Sequence, residues 1–322
     1  MTRTSWLSLA AACLLLSTKA LAQPPSGYVT PAQTPGEGLS AGEIPSVLEG
    51  SAFASADAAD EEEDPLVTDR PDFTEASSTV GAGRVQLESG YTFTHDNDRA
   101  TRTSEHAFPE FLLRIGLSDE VELRIGWLGF IFARELDRAS GSKDTADGGA
   151  DMDLGFKFEL WEQQGWVPET AVITAITLPT GGDAFSADHV QAIANFLYSW
   201  EVTDCFSLGG STGVAALHQD VTKELAVGGT GGIVTLHRTG DGFVQMSQSV
   251  TAGFSLTERL GSYVEWFGFF RTDAADNGPE HYGNGGFTYL INPNFQVDWR
   301  AGFGLNERSA NFFTGAGFAV RY

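Results

Sequence analysis

The chain has 322 residues, a formal net charge of −24, a pI near 4.4 and 38 glycines. So acidic a balance argues against a nucleic-acid partner, because binding a phosphate backbone relies on Lys and Arg displacing counterions. No internal run of about 18 apolar residues is present, which excludes a helical membrane span. It does not exclude a β-barrel, whose alternating strands average to a bland hydropathy.

Residues 1–22 have the layout of a secretory signal, with Arg3 at the basic start, an apolar run through Leu16, and Ala20, Leu21 and Ala22 at a small-residue exit. Cleavage is expected before Gln23, leaving Cys205 as the single cysteine and no intrachain disulfide. Residues 23–67 are rich in Pro, Ala, Gly and Ser and carry the acidic run from Asp60 to Asp64. Little in them could offset the entropy of ordering, so they are expected to be a disordered acidic periplasmic leader. Residues 68–83 follow as a plug or lead-in, opening on Thr68, Asp69, Arg70, Pro71, Asp72, Phe73, Thr74 and Glu75. As a plug, Asp69, Arg70, Asp72, Phe73 and Glu75 would fold into the periplasmic mouth, with Arg70 meeting inward acids such as Glu88 or Glu122. The plainer alternative is a turn that only guides the chain into its first strand.

From Arg84 to the end the sequence breaks into alternating segments of 10 to 15 residues separated by turn-rich links. In 84–96, Val85, Leu87, Tyr91 and Phe93 oppose Gln86, Glu88, Thr92 and Thr94; in 105–117, Phe111, Leu113, Ile115 and Leu117 oppose Glu110 and Arg114. In 120–134, Val121, Leu123, Ile125, Trp127 and Ile131 oppose Glu122 and Arg124; in 148–160, Met152, Leu154, Phe156, Phe158 and Leu160 oppose Asp151, Asp153, Lys157 and Glu159. In 294–306, Phe295, Val297, Trp299, Phe303 and Leu305 oppose Gln296, Asp298 and Arg300. A period of two with an apolar outer row and a charged inner row is the pattern of a membrane barrel strand.

Short links at 118–119, 161–165, 201–204, 257–258 and 292–293 alternate with longer ones at 97–104, 135–147, 180–188, 219–240, 274–279 and 307–310. Together they join twelve strands, an even number that leaves both ends on one side, as periplasmic termini and turns require. The expected fold is all-β: a transmembrane antiparallel up-and-down β-barrel of about 12 strands over residues 84–322. Alternation at 227–236 suggests that the 219–240 link projects as a strand pair. Trp127, Trp161, Trp166, Tyr198, Trp200, Tyr263, Trp266 and Tyr289 suit an interfacial belt. The last strand, 311–322, turns Phe312, Thr314, Ala316, Phe318, Val320 and Tyr322 outward and ends on an aromatic, so Phe318 and Tyr322 are the candidate assembly signal.

The 68–75 motif, with Val85, Gln86, Leu87, Glu88 and Gly90, Tyr91, Thr92, Phe93, resembles the family of transporters of the MetA-type phenol meta-degradation pathway. The resemblance continues through Glu169, Thr170, Ala171, Val172 with Leu178, Pro179, Thr180, Gly181; through 195–200 and 263–269; and through Gly302, Phe303, Gly304, Leu305 and Asn306. It implies an outer-membrane barrel with a transport role.

The functional surface of a channel would be the inward row: Glu88, Glu110, Arg114, Glu122, Arg124, Asp153, Lys157, Glu159, Glu265, Arg271, Asp298 and Arg300, with Gln86. Cross-strand pairing could instead close that row into a salt-bridged interior. A mixed-charge lumen favours small polar solutes, whereas an apolar solute, such as an aromatic compound, would leave sideways through the wall. The function expected is thus an outer-membrane channel or transporter for small solutes, with a purely structural barrel as the alternative. A lipid-modifying barrel enzyme would need Ser and His in hydrogen-bond reach; Ser104 with His106 and Ser186 with His189 are the nearest in sequence, and neither lies in a nucleophile motif. No catalytic residue, cofactor or diagnostic metal set is assigned, and Asp144, Asp147 and Asp151 read as solvated loop acids. Expected partners are outer-membrane lipid and lipopolysaccharide, the barrel-assembly machinery through the C-terminal strand, and a small-molecule solute.

Overall fold

The computed structural model describes residues 64–227, 232–272 and 278–322. The signal of 1–22 and the leader up to residue 63 lie outside the described residues. Fourteen strand segments follow in order: β1 (Val85–Asn97), β2 (Thr101–Gly116), β3 (Val121–Trp127), β4 (Phe130–Asp137), β5 (Lys143–Gly149), β6 (Met152–Trp161) and β7 (Glu169–Leu178). Then come β8 (Gln191–Thr203), β9 (Phe206–Val227), β10 (Gly232–Ser255), β11 (Leu260–Thr272), β12 (Glu280–Asn292), β13 (Phe295–Gly304) and β14 (Phe312–Arg321). Neighbours are antiparallel throughout, and the ring closes where β1 pairs with β14. At that seam Val85 N donates to Tyr322 O (3.0 Å) and Tyr322 N to Val85 O (2.8 Å).

Fourteen segments make twelve barrel strands because two strands are interrupted at one height. β3 and β4 are the two parts of one strand beside β2, pairing with 111–116 and 101–108 respectively. β6 and β5 continue the same arrangement, pairing with β3 and β4. The interruption runs through Pro109, through Leu128 and Gly129, and through Ala150 and Asp151. Pro109 has no N–H to give to a ladder. Opposite it, Gly129 holds φ at 83°, where a side chain would also collide with the Pro109 carbonyl.

The outer surface carries exposed Leu117, Phe130, Phe132, Phe156, Leu160, Val264, Phe287, Trp299 and Phe303, whereas Gln86, Glu88, Arg114, Glu122 and Lys157 are buried inside. An apolar exterior of this extent with charges enclosed inverts the usual soluble arrangement and suits a bilayer. The molecule is a closed, transmembrane twelve-stranded barrel of the outer-membrane type. Two assignments from periodicity are corrected. Ile131 is 1% exposed and faces inward, because the extra residue at Leu128 and Gly129 shifts the alternation of β4 by one. Tyr263 is 7% exposed and donates its hydroxyl hydrogen to Asn284 Oδ1 inside the lumen (3.2 Å), since it shares the inward phase of Glu265.

The long links are partly strand. Only 98–100 separates β1 from β2, 138–142 separates β4 from β5, and the β9–β10 ladder extends to the Val227 and Gly232 pair.

Candidate functional site

The inner segment begins at the end of the barrel that holds Tyr322. Arg321 Nη2 donates to Asp64 O (2.6 Å), Leu66 N donates to Pro293 O (2.8 Å), and Leu66 is buried. The described chain thus touches the barrel from Asp64 onward, ahead of the motif at 68. The segment rises to Phe73 and returns, Val80 N donating to Glu122 Oε2 (3.0 Å) and Gly83 N to Gly116 O (3.0 Å) before β1.

Asp69 sits at the centre of the charged contacts. Its carboxylate accepts from Arg124 Nη1 (2.5 Å), Lys157 Nζ (3.0 Å) and the backbone N–H of Ala76 (2.9 Å), with Arg114 Nε 3.5 Å away. Glu122 takes Arg114 (2.9 Å) and Arg124 (2.8 Å), and Arg114 also reaches Glu88 (3.2 Å). Glu88 in turn accepts the backbone N–H groups of Asp69 and Arg70, each at 3.0 Å. β1, β2, β3 and β6 each supply inward residues to this cluster, a direct result of alternation on neighbouring strands. Charges so enclosed persist only when each is met by an opposite charge or several hydrogen bonds.

Arg70 departs from expectation. Its guanidinium pairs with Glu110 (3.0 Å) and Asp298 (3.2 Å), while Glu88 holds only its backbone and Glu122 is occupied by Arg114, Arg124 and Lys157. The reason lies in two glycines. Gly90 and Gly317 face each other across the β1–β14 seam, and a Cβ on either would meet the Arg70 guanidinium. The side chain therefore lies in a trough that leads to β2 and β13.

Glu75 reaches Arg124 and accepts from Asn195 Nδ2 (3.0 Å); Arg300 donates to Pro71 O (3.1 Å) and Thr92 Oγ1 (2.9 Å). Glu265 accepts from Phe73 N (2.8 Å), Thr74 N (2.7 Å), Thr74 Oγ1 (2.6 Å) and Asn284 Nδ2 (3.0 Å). Phe73 stacks on Phe267 with centroids 4.1 Å apart and meets Phe269 edge-on, in a buried cluster with Tyr282 and Phe313. Glu159 accepts from Thr79 N (3.4 Å) and Asp153 from Thr177 Oγ1 (2.5 Å), while Arg271 pairs with Glu280 (3.0 Å). Phe318, on the outer row of β14, and Tyr322, just past its end, are 38% and 79% exposed.

Asn195 and Asn284 were not singled out as site residues from sequence. They are uncharged, and only their inward phase beside Ile193 and Tyr282 could have signalled them.

Beside the inner segment lies a cavity of about 200 Å³. Asp72, Phe73 and Glu75 line it from the segment, and Leu112, Leu128, Ile173, Ala175 and Ile193 line it from the wall. Three of its buried lining residues hold polar atoms without a hydrogen-bond partner: Glu110 Oε1, Asn195 Oδ1 and Arg300 Nε. Such atoms are uncommon in a packed interior. The candidate hydrolase histidines have other contacts, His106 Nδ1 with the Tyr91 hydroxyl at 2.7 Å and His189 stacked on His218 at 4.6 Å. Asp151 is no solvated loop acid: it is buried and accepts the N–H groups of Gly181 and Ala187, each at 2.8 Å. Among the described residues no group of three or more His, Cys, Asp or Glu could hold a metal ion.

Among solved structures, the chain is similar to the translocator domain of the autotransporter NalP from Neisseria meningitidis (9% identity, 75% of this chain and 89% of that one, TM-score 0.49). It is similar also to the β domain of the Bordetella autotransporter BrkA (12% identity, 75% and 100%, TM-score 0.48) and to the CymD monoaromatic hydrocarbon channel (10% identity, 75% and 89%, TM-score 0.41). No curated protein sequence matches it. Residues 68–322 match the model of the family described as "Putative MetA-pathway of phenol degradation", which covers the inner segment from Thr68 onward and the whole barrel together, and the chain belongs to that family.

Proposed function

We propose that the protein is an outer-membrane channel for small solutes in which residues 64–83 act as a plug, Asp69, Arg70, Asp72, Phe73 and Glu75 being its working residues. The cavity beside the plug carries this reading. A barrel built only as a scaffold has no use for a void lined by Glu110, Asn195 and Arg300, each with a polar atom that no other protein group meets. Apolar cavities of ~150 Å³ admit a molecule of one aromatic ring, so about 200 Å³ suits a solute of that size. The wall of Leu112, Ile173 and Ile193 favours aromatic or other hydrophobic compounds, and the unpartnered Glu110 and Asn195 oxygens favour those that bear a hydrogen-bond donor. Export through the cleaved 1–22 signal and recognition of Phe318 and Tyr322 by the assembly machinery complete the proposal.

The dense ion network supports a second reading, a barrel that is structural and closed. Single-channel conductance of refolded protein separates the two. Removal of residues 69–75 is expected to raise conductance, and phenol is expected to block the intact channel. An unchanged conductance in a deletion variant that still shows heat-modifiable gel migration would leave the structural barrel.

A further inference from the structure

The cavity beside the plug touches both faces of the wall. Leu112, from the inward row of β2, and Leu128, in the interruption just past β3, line it together with Phe111 and Trp127 from the outward rows of β2 and β3. Side chains of an intact strand alternate between the two faces, so a lumenal void should not meet both rows. It does so here because the wall is interrupted at Pro109, at Leu128 and Gly129, and at Ala150 and Asp151.

Few direct contacts join the two ladders at this height, and the 179–190 link covers the break, Gly181 N and Ala187 N donating to Asp151 and Met152 N to Thr180 Oγ1. One backbone hydrogen bond, Ala150 N to Gly129 O (2.9 Å), and one side-chain bond, Trp127 Nε1 to Ala150 O (2.9 Å), bridge the break between the two ladders. Beyond the break, β5 pairs with β4 alone, because β7 stops at Leu178 and β8 starts only at Gln191. The free edge of β5 is met by the 179–190 link: Gly182 N donates to Gly149 O (2.9 Å), and the ring of Phe185 lies against Gly148. The surroundings are those of a bilayer, since Phe108 and Phe130 are exposed on the outer surface and Trp127 packs edge-on against Phe130 at 5.2 Å.

We infer that this interruption is a side opening through which an apolar one-ring solute passes between the cavity and the lipid, with Trp127 as its movable bar. The inference rests on the channel reading and adds a route to it: a solute that matches the apolar wall need not cross the charged contacts of Asp69. Swinging the Trp127 ring outward costs one hydrogen bond to Ala150 and the contacts with Phe111 and Phe130, and leaves the charged network untouched.

A phospholipid with an aryl diazirine at the end of one acyl chain tests the opening, because the reagent cannot leave the bilayer. After reconstitution of the full chain and photolysis, adducts located by mass spectrometry are expected on inward Leu112 and Leu128 as well as on outward Phe108 and Phe130. Trp127→Ala should raise the Leu128 adduct several-fold; if that variant does not fold, Trp127→Phe, which removes the hydrogen bond and part of the ring but keeps an aromatic group between Phe111 and Phe130, should raise it less. Adducts confined to the outward residues in every folded protein would overturn the inference. Conductance measured on the same samples keeps the two readings apart. Leu128 adducts without conductance would leave the side opening and remove the axial channel, and conductance with outward adducts only would do the reverse.

Discussion

Near the termini the plug meets its barrel through charge: Arg114, Arg124 and Lys157 converge on Asp69 and Glu122, and all five are buried. Towards the other end the plug meets the wall through rings, with Phe73 set among Phe267, Phe269, Tyr282 and Phe313. The two contacts differ in what they supply. Ion pairs taken out of water gain little net energy, because desolvation offsets attraction, but they are costly to break and fix position tightly. Ring burial supplies net adhesion and tolerates sliding. The charged half therefore sets where the plug sits, and the aromatic half holds it there.

Variants can break that division. The largest effect is expected from Arg114→Met, which leaves Glu88 and Glu122 short of their partner inside the barrel and should cost about 3–5 kcal/mol; urea unfolding of the refolded barrel measures it. Next comes Phe73→Ala, expected to cost about 3 kcal/mol as a buried ring truncation, but in plug docking: limited proteolysis should cut 64–83 while the heat-modifiable shift of the barrel persists. If Phe73→Ala lowered barrel stability as much as Arg114→Met, the two halves would not be separable. A smaller loss, about 1–3 kcal/mol of overpacking, is expected from Gly317→Ala, whose methyl group displaces Arg70; unfolding midpoints should fall and conductance rise together. The smallest is Arg138→Ala at the end away from Tyr322, where the exposed guanidinium donates to Asn97 and lies near Asp98, and a change within about 0.5 kcal/mol is expected by the same unfolding assay.

Most of the architecture was legible because a barrel strand advertises itself twice, by alternation and by link length. β1, β6, β13 and β14 carry inward charges against outward rings, and both their faces follow directly from the sequence. What was not legible depends on a single residue or on a distant one. Leu128 and Gly129 add one residue to a strand, which turns Ile131 inward, and nothing in the local hydrophobicity marks that shift. The lumenal charges were legible as a row but their pairing was not. Arg70 chooses Glu110 and Asp298 because Gly90 and Gly317 make room in that direction, and the two glycines come from opposite ends of the chain. Tyr263 was misplaced because its aromatic character suggested the interface more loudly than its phase suggested the lumen.

The trough beneath Arg70 has a consequence for the order of events in biogenesis. Gly90 and Gly317 are partners in the pairing that closes the ring, β1 on β14, and Arg70 lies across that joint with its acids on β2 and β13, one strand away on either side. A single guanidinium thus spans four consecutive staves, two of which meet only when the cylinder is sealed. Sealing and filling become one transaction, so a chain whose N-terminal stretch lags behind would close a hollow cylinder lacking the clasp at its own joint.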